Sequence, residues 1–418
     1  MKMINNLKKI LILTLIVFLS ICGYVKADEE DSENIDFSEI WNEYITSSTE
    51  SSNDPVLNSR AAIVLDRKTG AVLFEKNAFS KRAMASTTKI MTAILTIESG
   101  KLNDTVEVSK KAASIGGSVL GLKTGDKLSL NDLLYGLMLR SGNDAAVQIA
   151  EYLGGSVEGF ASMMNEKAKE LNLVNTHFVT PHGLDNPEHY TTAYELALLT
   201  NYAMNNKTFS KIVNTKQCSI NINGIPKSIN NTNELLGVLN GVNGVKTGFT
   251  NNAGRCLVTS ITRNDFSVIC VVLGADTKKF RTKDSISLIE YTYKNFERYN
   301  LEDVIYNNFE NWKNEHIVNV EKGKEDFLEI KLSDIKYDVY PIKKEKVKDL
   351  KIEINCIDKI KAPVKQDEKI GELIVSIDND EIERVDILCN RNVERKDISY
   401  YYKDILFNMS RYMEEYIN

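Results

Sequence analysis

The stretch "RAMASTTKIMTAIL", residues 82–95, sets a serine and a lysine three positions apart at the mouth of an apolar run. A lysine is costly where Ile90, Met91, Ala93, Ile94 and Leu95 surround it. The spacing predicts a core helix from 86 to about 98, closed by Gly100. A helix places residues i and i+3 on one face, so Ser86 and Lys89 become neighbours. A serine hydroxyl is a poor nucleophile until a base takes its proton. Lysine can be that base only when neutral, and burial or a second cation pushes it that way. Ser86, at the helix start, also points its own N–H outward, where it can help to stabilise an oxyanion. The pattern S-x-x-K is weak by itself. Ser333 and Lys336 match it too, and a capping serine followed by a snorkelling lysine is the structural alternative.

The surrounding chain reads as two domains behind an export signal. Lys2, Lys8 and Lys9 precede the apolar run "ILILTLIVFLSI" at 10–21, and "VKA" at 25–27 offers a cleavage site, so residues 1–27 are expected to be a signal peptide. An uncleaved anchor, or a lipoprotein cut before Cys22, are the alternatives; each places the bulk of the chain outside the cytoplasm. Residues 28–54, rich in Asp, Glu, Ser and Asn, read as a spacer in which Trp41 and Tyr44 could dock. "AAIVLDRKTGAVLFEKNA" at 61–78 reads as a β-hairpin, and 130–154 as helix, break, helix, with the break at Ser141-Gly142. Further helices are predicted at 157–173, 192–206 and about 283–297, and strands at 243–250, 255–263 and 266–275. Strands at both ends with helices between them predict an α+β catalytic domain over 55–300, one antiparallel sheet with a helical cluster. Period-two runs such as "LKIEINCI" and "IERVDILC" predict a small all-β sandwich domain over 301–394. Residues 395–418 return to helical spacing. Ile398, Tyr402, Ile405, Leu406, Met409, Met413 and Tyr416 form one apolar face, and four cations balance four anions. Such a helix is too short and too charged to span a bilayer, and suits a membrane surface, packing on the β-domain, or self-association.

Two further patterns raise the odds that Ser86 is chemical. Ser141-Gly142-Asn143 lies at the helix break; Ser51-Ser52-Asn53, Ser219-Ile220-Asn221 and Ser228-Ile229-Asn230 also match S-x-N, but not at a junction of apolar helices. Lys-Thr-Gly occurs three times. At 68–70 and 123–125 it reads as turn chemistry. At 246–248 it opens a strand, where Gly248 lets a substrate backbone come close.

S-x-x-K, then S-x-N, then K-T-G is the order of the penicillin-binding proteins and serine β-lactamases. "ASTTKIMTAIL", "RSGNDAAVQIAEYLGGS", "NTHFVTPHGLDNPEHYTTAYELALL" and "GVKTGFTNNAGRCLV" resemble the low-molecular-mass D-alanyl-D-alanine carboxypeptidases. The resemblance runs over about 55–390, and "KAPVKQDEKIGEL" is similar to that family's C-terminal sandwich. It implies a penicillin-binding-protein/β-lactamase-like fold and an enzyme that trims peptidoglycan stem peptides ending in D-Ala-D-Ala, with β-lactams as inhibitors and no cofactor or metal. It implies that Ser86 attacks the terminal D-Ala–D-Ala carbonyl and Lys89 accepts its proton. Ser141 and Asn143 complete the proton network and hold the substrate amide. Lys246 is the second cation beside Lys89, and Thr247 and Arg281 face the substrate carboxylate. Gly248 and Phe249 belong to the substrate-binding strand, and the N–H groups of Ser86 and Phe249 form the oxyanion hole. It also implies a C-terminal helix attached to the outer face of the membrane. Met84 stands where the family often has proline, and Arg255 where an aromatic or small residue is common.

Composition excludes several other classes. A net charge of −6 argues against nucleic-acid binding. No E-x-x-L-N string lies between 144 and 246, which argues against a class A β-lactamase. The four histidines, His177, His182, His189 and His316, form no H-E-x-x-H, and His182 and His189 read as structural loop residues. The cysteines beyond Cys22, five in number and widely spaced, read as free thiols. A sensor that is acylated by β-lactams with little turnover is the alternative the motifs leave open.

Overall fold

A computed structural model describes residues 35–41 and 54–417. The expected signal peptide, Cys22, Tyr44 and the Ser51-Ser52-Asn53 match lie outside the described residues. The chain divides into two compact units at Lys294/Asn295.

The first unit is built on a five-stranded antiparallel sheet. Its strands are β1 (Ala61–Asp66), β2 (Val72–Lys76), β3 (Val242–Thr250), β4 (Gly254–Arg263) and β5 (Phe266–Ala275), in the order β2-β1-β5-β4-β3. Every position of β1 is buried, and β5 is buried at all but Ser267. Strands show this only when both faces are covered. The chain leaves the sheet after β2 and returns at β3. Between them lie the helices α1 (Lys89–Glu98), α2 (Leu130–Leu139), α3 (Asn143–Gly154), α4 (Val157–Glu170), α5 (Ala193–Met204) and α6 (Lys207–Val213). Their apolar faces and the sheet share one core, in which Ile63, Ile90, Leu134, Ile149, Phe160 and Val271 are within 1% of complete burial. Helix α7 (Lys278–Asn295) begins five residues before the predicted start; Tyr293 Oη donates to Phe266 O at 2.8 Å, and Arg263 pairs with Glu290 at 2.6 Å. In the expected spacer, residues 37–41 are helical, Ile40 is fully buried and Glu39 pairs with Lys279 at 2.6 Å.

Helix α1 is buried on every side from Lys89 to Thr96. Its threonines are satisfied internally: Thr92 Oγ1 donates to Pro181 O and Thr96 Oγ1 to Thr92 O, both at 2.6 Å. The helix starts later than predicted. Residues 85–88 form a 3-10 turn and the α-helix begins at Lys89.

The second unit holds an antiparallel sheet of strands Ile330–Leu332, Asp380–Cys389, Lys369–Ile377 and Leu350–Cys356, in that spatial order. It is not all β. Helix α8 (Leu301–Glu315) places Leu301, Ile305 and Phe309 in the same core as Leu373, Val375 and Ile387. These residues recur at i, i+4 and i+8, one helical stripe. The chain ends in helix α9 (Ile398–Ile417). Among the described residues no helix is long and apolar enough to cross a membrane.

Candidate active site

Ser86 sits on the 3-10 turn, 8% exposed. Such a turn has three residues per repeat and eclipses i with i+3. That brings Ser86 over Lys89 more directly than the predicted α-helix does. Lys89 is wholly buried, and its Nζ donates to Ser86 Oγ at 2.8 Å, Asn143 Oδ1 at 2.7 Å and His182 O at 3.0 Å. All three acceptors are neutral. Ala85, before the serine, has φ +47°, and side chains hold the turn shut: Thr87 Oγ1 donates to Met84 O and Thr88 Oγ1 to Ala85 O.

The S-x-N element comes from the break between α2 and α3. Ser141 takes a left-handed φ of +62°, and Asn143 opens α3. Asn143 bridges two walls, since its Nδ2 also donates to Gly116 O at 2.8 Å. Next to it, Asp144 accepts the N–H groups of Leu120, Gly121 and Leu122 at 2.9–3.0 Å. That fixes the loop carrying Ser118 into the cleft. Sequence reasoning missed both residues; an acidic residue in a first helical turn reads only as a match to the helix dipole.

The third Lys-Thr-Gly lies on β3, the edge of the sheet, against the nucleophile turn. The reason for the glycine differs from the one predicted. A Cβ placed on Gly248 would lie 3.0 Å from Ser86 N and 3.2 Å from Ala85 Cβ, so the protein's own turn already occupies that space. Thr247 Oγ1 is 2.8 Å from Thr232 Oγ1, and buried Lys246 donates to Thr247 O at 3.0 Å. Arg281 is 3% exposed and forms an ion pair with Glu234, which also accepts from Thr282 Oγ1 at 2.7 Å.

Ser86, Ser141, Thr247, Gly248, Phe249 and Arg281 thus line one cleft, together with Ser118 and Arg255. Lys89 and Asn143 stand behind Ser86 in hydrogen-bond contact, and Lys246 is buried on the strand that forms one wall. The other matches are elsewhere. Lys68-Thr69-Gly70 is the β1–β2 turn, where Asp66 accepts from Thr69 N and Oγ1. Lys123-Thr124-Gly125 is a turn closed by Asp126. Ser333 accepts from Asp386 N, while Lys336 lies over the Tyr337 ring.

The loop 179–190 braces the nucleophile turn from outside. Val179 N–H donates to His189 Nδ1 at 2.9 Å, so Nε2 carries the proton and gives it to Thr88 Oγ1 at 2.7 Å. Burial, and then the charge of His177, lowers the His189 pKa to about 4. Burial, and then Lys89, lowers His182 to about 3. Both imidazoles are neutral, structural groups. The same loop reaches β3 through Asp185, which accepts from Thr250 Oγ1 at 2.5 Å. The five described cysteines are free thiols, and burial raises Cys256 to about 11.

A buried lysine hydrogen-bonded to a serine at the head of a core helix, beside a sheet edge, is the arrangement of active-serine acyl-transfer enzymes of the penicillin-binding type. Residues 48–277 match the D-alanyl-D-alanine carboxypeptidase family, and residues 312–395 match the penicillin-binding protein 5 C-terminal domain. The chain is 33% identical over 345 residues to the D-alanyl-D-alanine carboxypeptidase DacF of Bacillus subtilis, covering 81% of this chain and 86% of the relative. It is 40% identical over 255 residues to DacC of Escherichia coli, covering 58% and 63%. The crystal structure of penicillin-binding protein 5 from Haemophilus influenzae superposes with a TM-score of 0.67 at 27% identity, covering 82% of this chain and all of that one. The chain belongs to the D-alanyl-D-alanine carboxypeptidase family.

Proposed function

We propose that the protein removes the terminal D-alanine from peptidoglycan pentapeptide stems through an acyl-Ser86 intermediate, on the outer side of the cell membrane. The observation that carries this is the 2.8 Å contact of buried Lys89 Nζ with Ser86 Oγ. Once Lys89 has lost a proton, the 2.8 Å contact reverses: Ser86 Oγ–H donates to Nζ, and Lys89 takes that proton as Oγ attacks the penultimate D-Ala carbonyl. The N–H groups of Ser86 and Phe249 receive the oxyanion, and Gly248 keeps strand and turn close enough for both to reach it. Ser141 passes the proton to the leaving D-alanine nitrogen. Asn143 Oδ1 holds Lys89, and its amide nitrogen carries a second N–H for the substrate carbonyl. Thr247 and Arg281 face the terminal carboxylate, and Lys246 keeps a positive charge nearby. Water then attacks the ester and frees Ser86.

The C-terminal helix α9 is the proposed attachment. Ile398, Tyr402, Ile405, Leu406, Phe407 and Met409 are all at least half exposed. An open apolar face on a helix within a segment, 395–418, of zero net charge supports insertion at a membrane surface through apolar and tyrosine side chains. The test is D-alanine release from a pentapeptide stem. The wild type is expected to release it, and Ser86→Ala to lose both release and penicillin labelling. Labelling that persists in Ser86→Ala, or moves to Ser333, overturns the assignment. Labelling of Ser86 without D-alanine release makes the protein a β-lactam sensor.

A further inference from the structure

Arg281 lines the cleft beside Ser86 and Thr247, but an anion of the protein's own already sits on it. Arg281 Nη2 and Thr282 Oγ1 both donate to one carboxylate oxygen, Glu234 Oε1. Glu234 Oε2 and Arg281 Nε are buried, with no hydrogen-bond partner among the described residues. The two-point fork that a guanidinium and a carboxylate can form is therefore not made. The Arg281 side chain is 4% exposed and that of Glu234 14%, so water screens the pair little. Burial pushes the Glu234 carboxyl up, but the Arg281 charge and the Thr282 hydrogen bond outweigh it, and the group is held below the usual carboxylate range. The loop around Glu234 is fixed by its own hydrogen bonds. Thr232 N–H donates to Leu139 O at 3.0 Å, Asn233 N–H to Asn231 Oδ1 at 2.9 Å and Leu235 N–H to Asn233 Oδ1 at 3.2 Å. Thr232 Oγ1 lies 2.8 Å from Thr247 Oγ1. One loop thus touches both Thr247 and Arg281, the two residues that face the terminal carboxylate in the proposed reaction.

We infer that Glu234 is a positioning residue that sets how tightly this cleft holds a terminal carboxylate, by competing with that carboxylate for Arg281. This rests on the D,D-carboxypeptidase reading of the cleft. An incoming carboxylate has to share Arg281 with an anion already bound to it, and two carboxylates at one cation repel each other. The grip on that end of the substrate is weakened as a result. The weakening has a use, because the substrate and the released D-alanine carry the same carboxylate. A charge that binds the ground state and the transition state equally lowers KM without speeding the chemical step, and it holds the product as well. Glu234 limits that uniform binding. The opposing reading makes Glu234 a strut that only orients Arg281, and the two readings predict effects of opposite sign.

The test uses the full-length protein and two peptides. One ends in D-Ala-D-Ala with a free carboxylate, and the other is the same peptide as its C-terminal amide. The readout is the preference, kcat/KM on the acid divided by kcat/KM on the amide, with melting curves to confirm folding. Glu234→Gln keeps the size and an acceptor for Thr282 but removes the charge. Its preference for the acid is expected to rise about threefold to tenfold, the difference between a charge-assisted hydrogen bond and a neutral one. The gain is expected in KM, with none in kcat. Glu234→Ala removes the charge with the side chain and is expected to shift the preference in the same direction, so either variant that melts cooperatively decides the sign. Glu234→Asp keeps the charge and is expected to stay nearest the wild type. Combined with Arg281→Gln, the rise from Glu234→Gln is expected to vanish, because the two residues act through one contact. A preference that falls in the glutamine and alanine variants makes Glu234 a strut and overturns the inference. So does an unchanged preference, or a rise that survives in the Arg281→Gln background. A wild type that cleaves neither peptide is a different failure, which overturns the carboxypeptidase reading and this inference with it.

Discussion

The three Lys-Thr-Gly sites offer an experiment in which identical letters have different physical jobs. Replacing Gly248 by alanine adds one methyl group 3.0 Å from Ser86 N, 3.2 Å from Thr87 N and 3.2 Å from Ala85 Cβ. Ordinary contacts between such atoms lie near 3.5–4.0 Å, so the shortfall is about half an ångström. The atoms it meets cannot rotate away. They belong to a turn closed by Thr87 and Thr88 and braced by His189. Either the turn or the β3 edge must shift, at a stability cost of about 1–3 kcal/mol. A displacement of 1 Å at a reacting centre costs roughly a hundredfold in rate. A shift of a few tenths of an ångström, applied to the Ser86 N–H itself, is therefore expected to slow acylation at least about tenfold. Gly70 is the matched control. Its φ is +76°, but nothing lies within 4 Å of an added Cβ. Gly70→Ala should cost about 1 kcal/mol of backbone strain, or roughly 2–4 °C in Tm for a domain of this size, and leave acylation unchanged. The assay is the second-order rate constant for a fluorescent penicillin, with melting curves on the same samples. Gly248→Ala acylating within about twofold of wild type, or Gly70→Ala losing as much rate as Gly248→Ala, would refute the packing argument.

Three other outcomes follow from the same geometry. Lys89→Met keeps the volume but removes the base, so acylation should drop by roughly 10²–10⁴ while the protein still melts cooperatively; acylation at the wild-type rate would remove Lys89 from the mechanism. His182 and His189 titrate at about 3 and about 4 in the fold but near 6.5 when exposed, so the unfolded chain takes up protons first as pH falls. Stability should therefore be complete above about pH 6.5 and decline from there towards pH 4, with a shallower decline in His189→Gln; urea midpoints between pH 7 and 4 that stay flat, or the same slope in the variant, would contradict it. Deleting residues 395–418 should move the mature protein from membranes to the soluble fraction with Ser86 labelling retained, and a truncated protein that stays on membranes would place the attachment elsewhere.

Most of the site was legible because its spacing is local. A serine and a lysine three apart need only one turn, and a Ser-Gly pair between two apolar helices marks a break after which Asn143 opens α3. Strands β1 and β5 of the catalytic sheet were legible because they are nearly continuous apolar runs. What stayed hidden depends on distant partners. The ion pair between Glu234 and Arg281 joins residues 47 apart, and nothing in either neighbourhood names the other. Asp144 meets the 120–122 amides across a gap of 22–24 residues. Two elements could have been read and were not. The hairpin Gln217–Ile222/Ile225–Asn230 turns on Asn223-Gly224, a strong hairpin signal. Helix α8 has Leu301, Ile305 and Phe309 in one stripe, but it opens a stretch whose period-two strands dominate the pattern.

Two of the eleven described non-glycine residues at positive φ stand where the three motifs meet. Ala85 and Ser141 are both non-glycine residues at positive φ, a conformation that persists only where the surroundings impose it. At Ala85 they do so from two sides. Gly248 closes on the turn from the sheet edge, and His189 holds Thr88, which in turn holds the Ala85 carbonyl. At Ser141 the neighbouring Asn143 ties the break to Lys89 on one side and to Gly116 on the other. Lys89 is therefore fixed by the same contacts that fix both strained turns. A change that relaxes either turn should move the lysine, the serine hydroxyl and the oxyanion N–H together, so losses from paired substitutions at Ala85, Asn143 and Thr88 should be less than additive, as they are for residues that act as a unit.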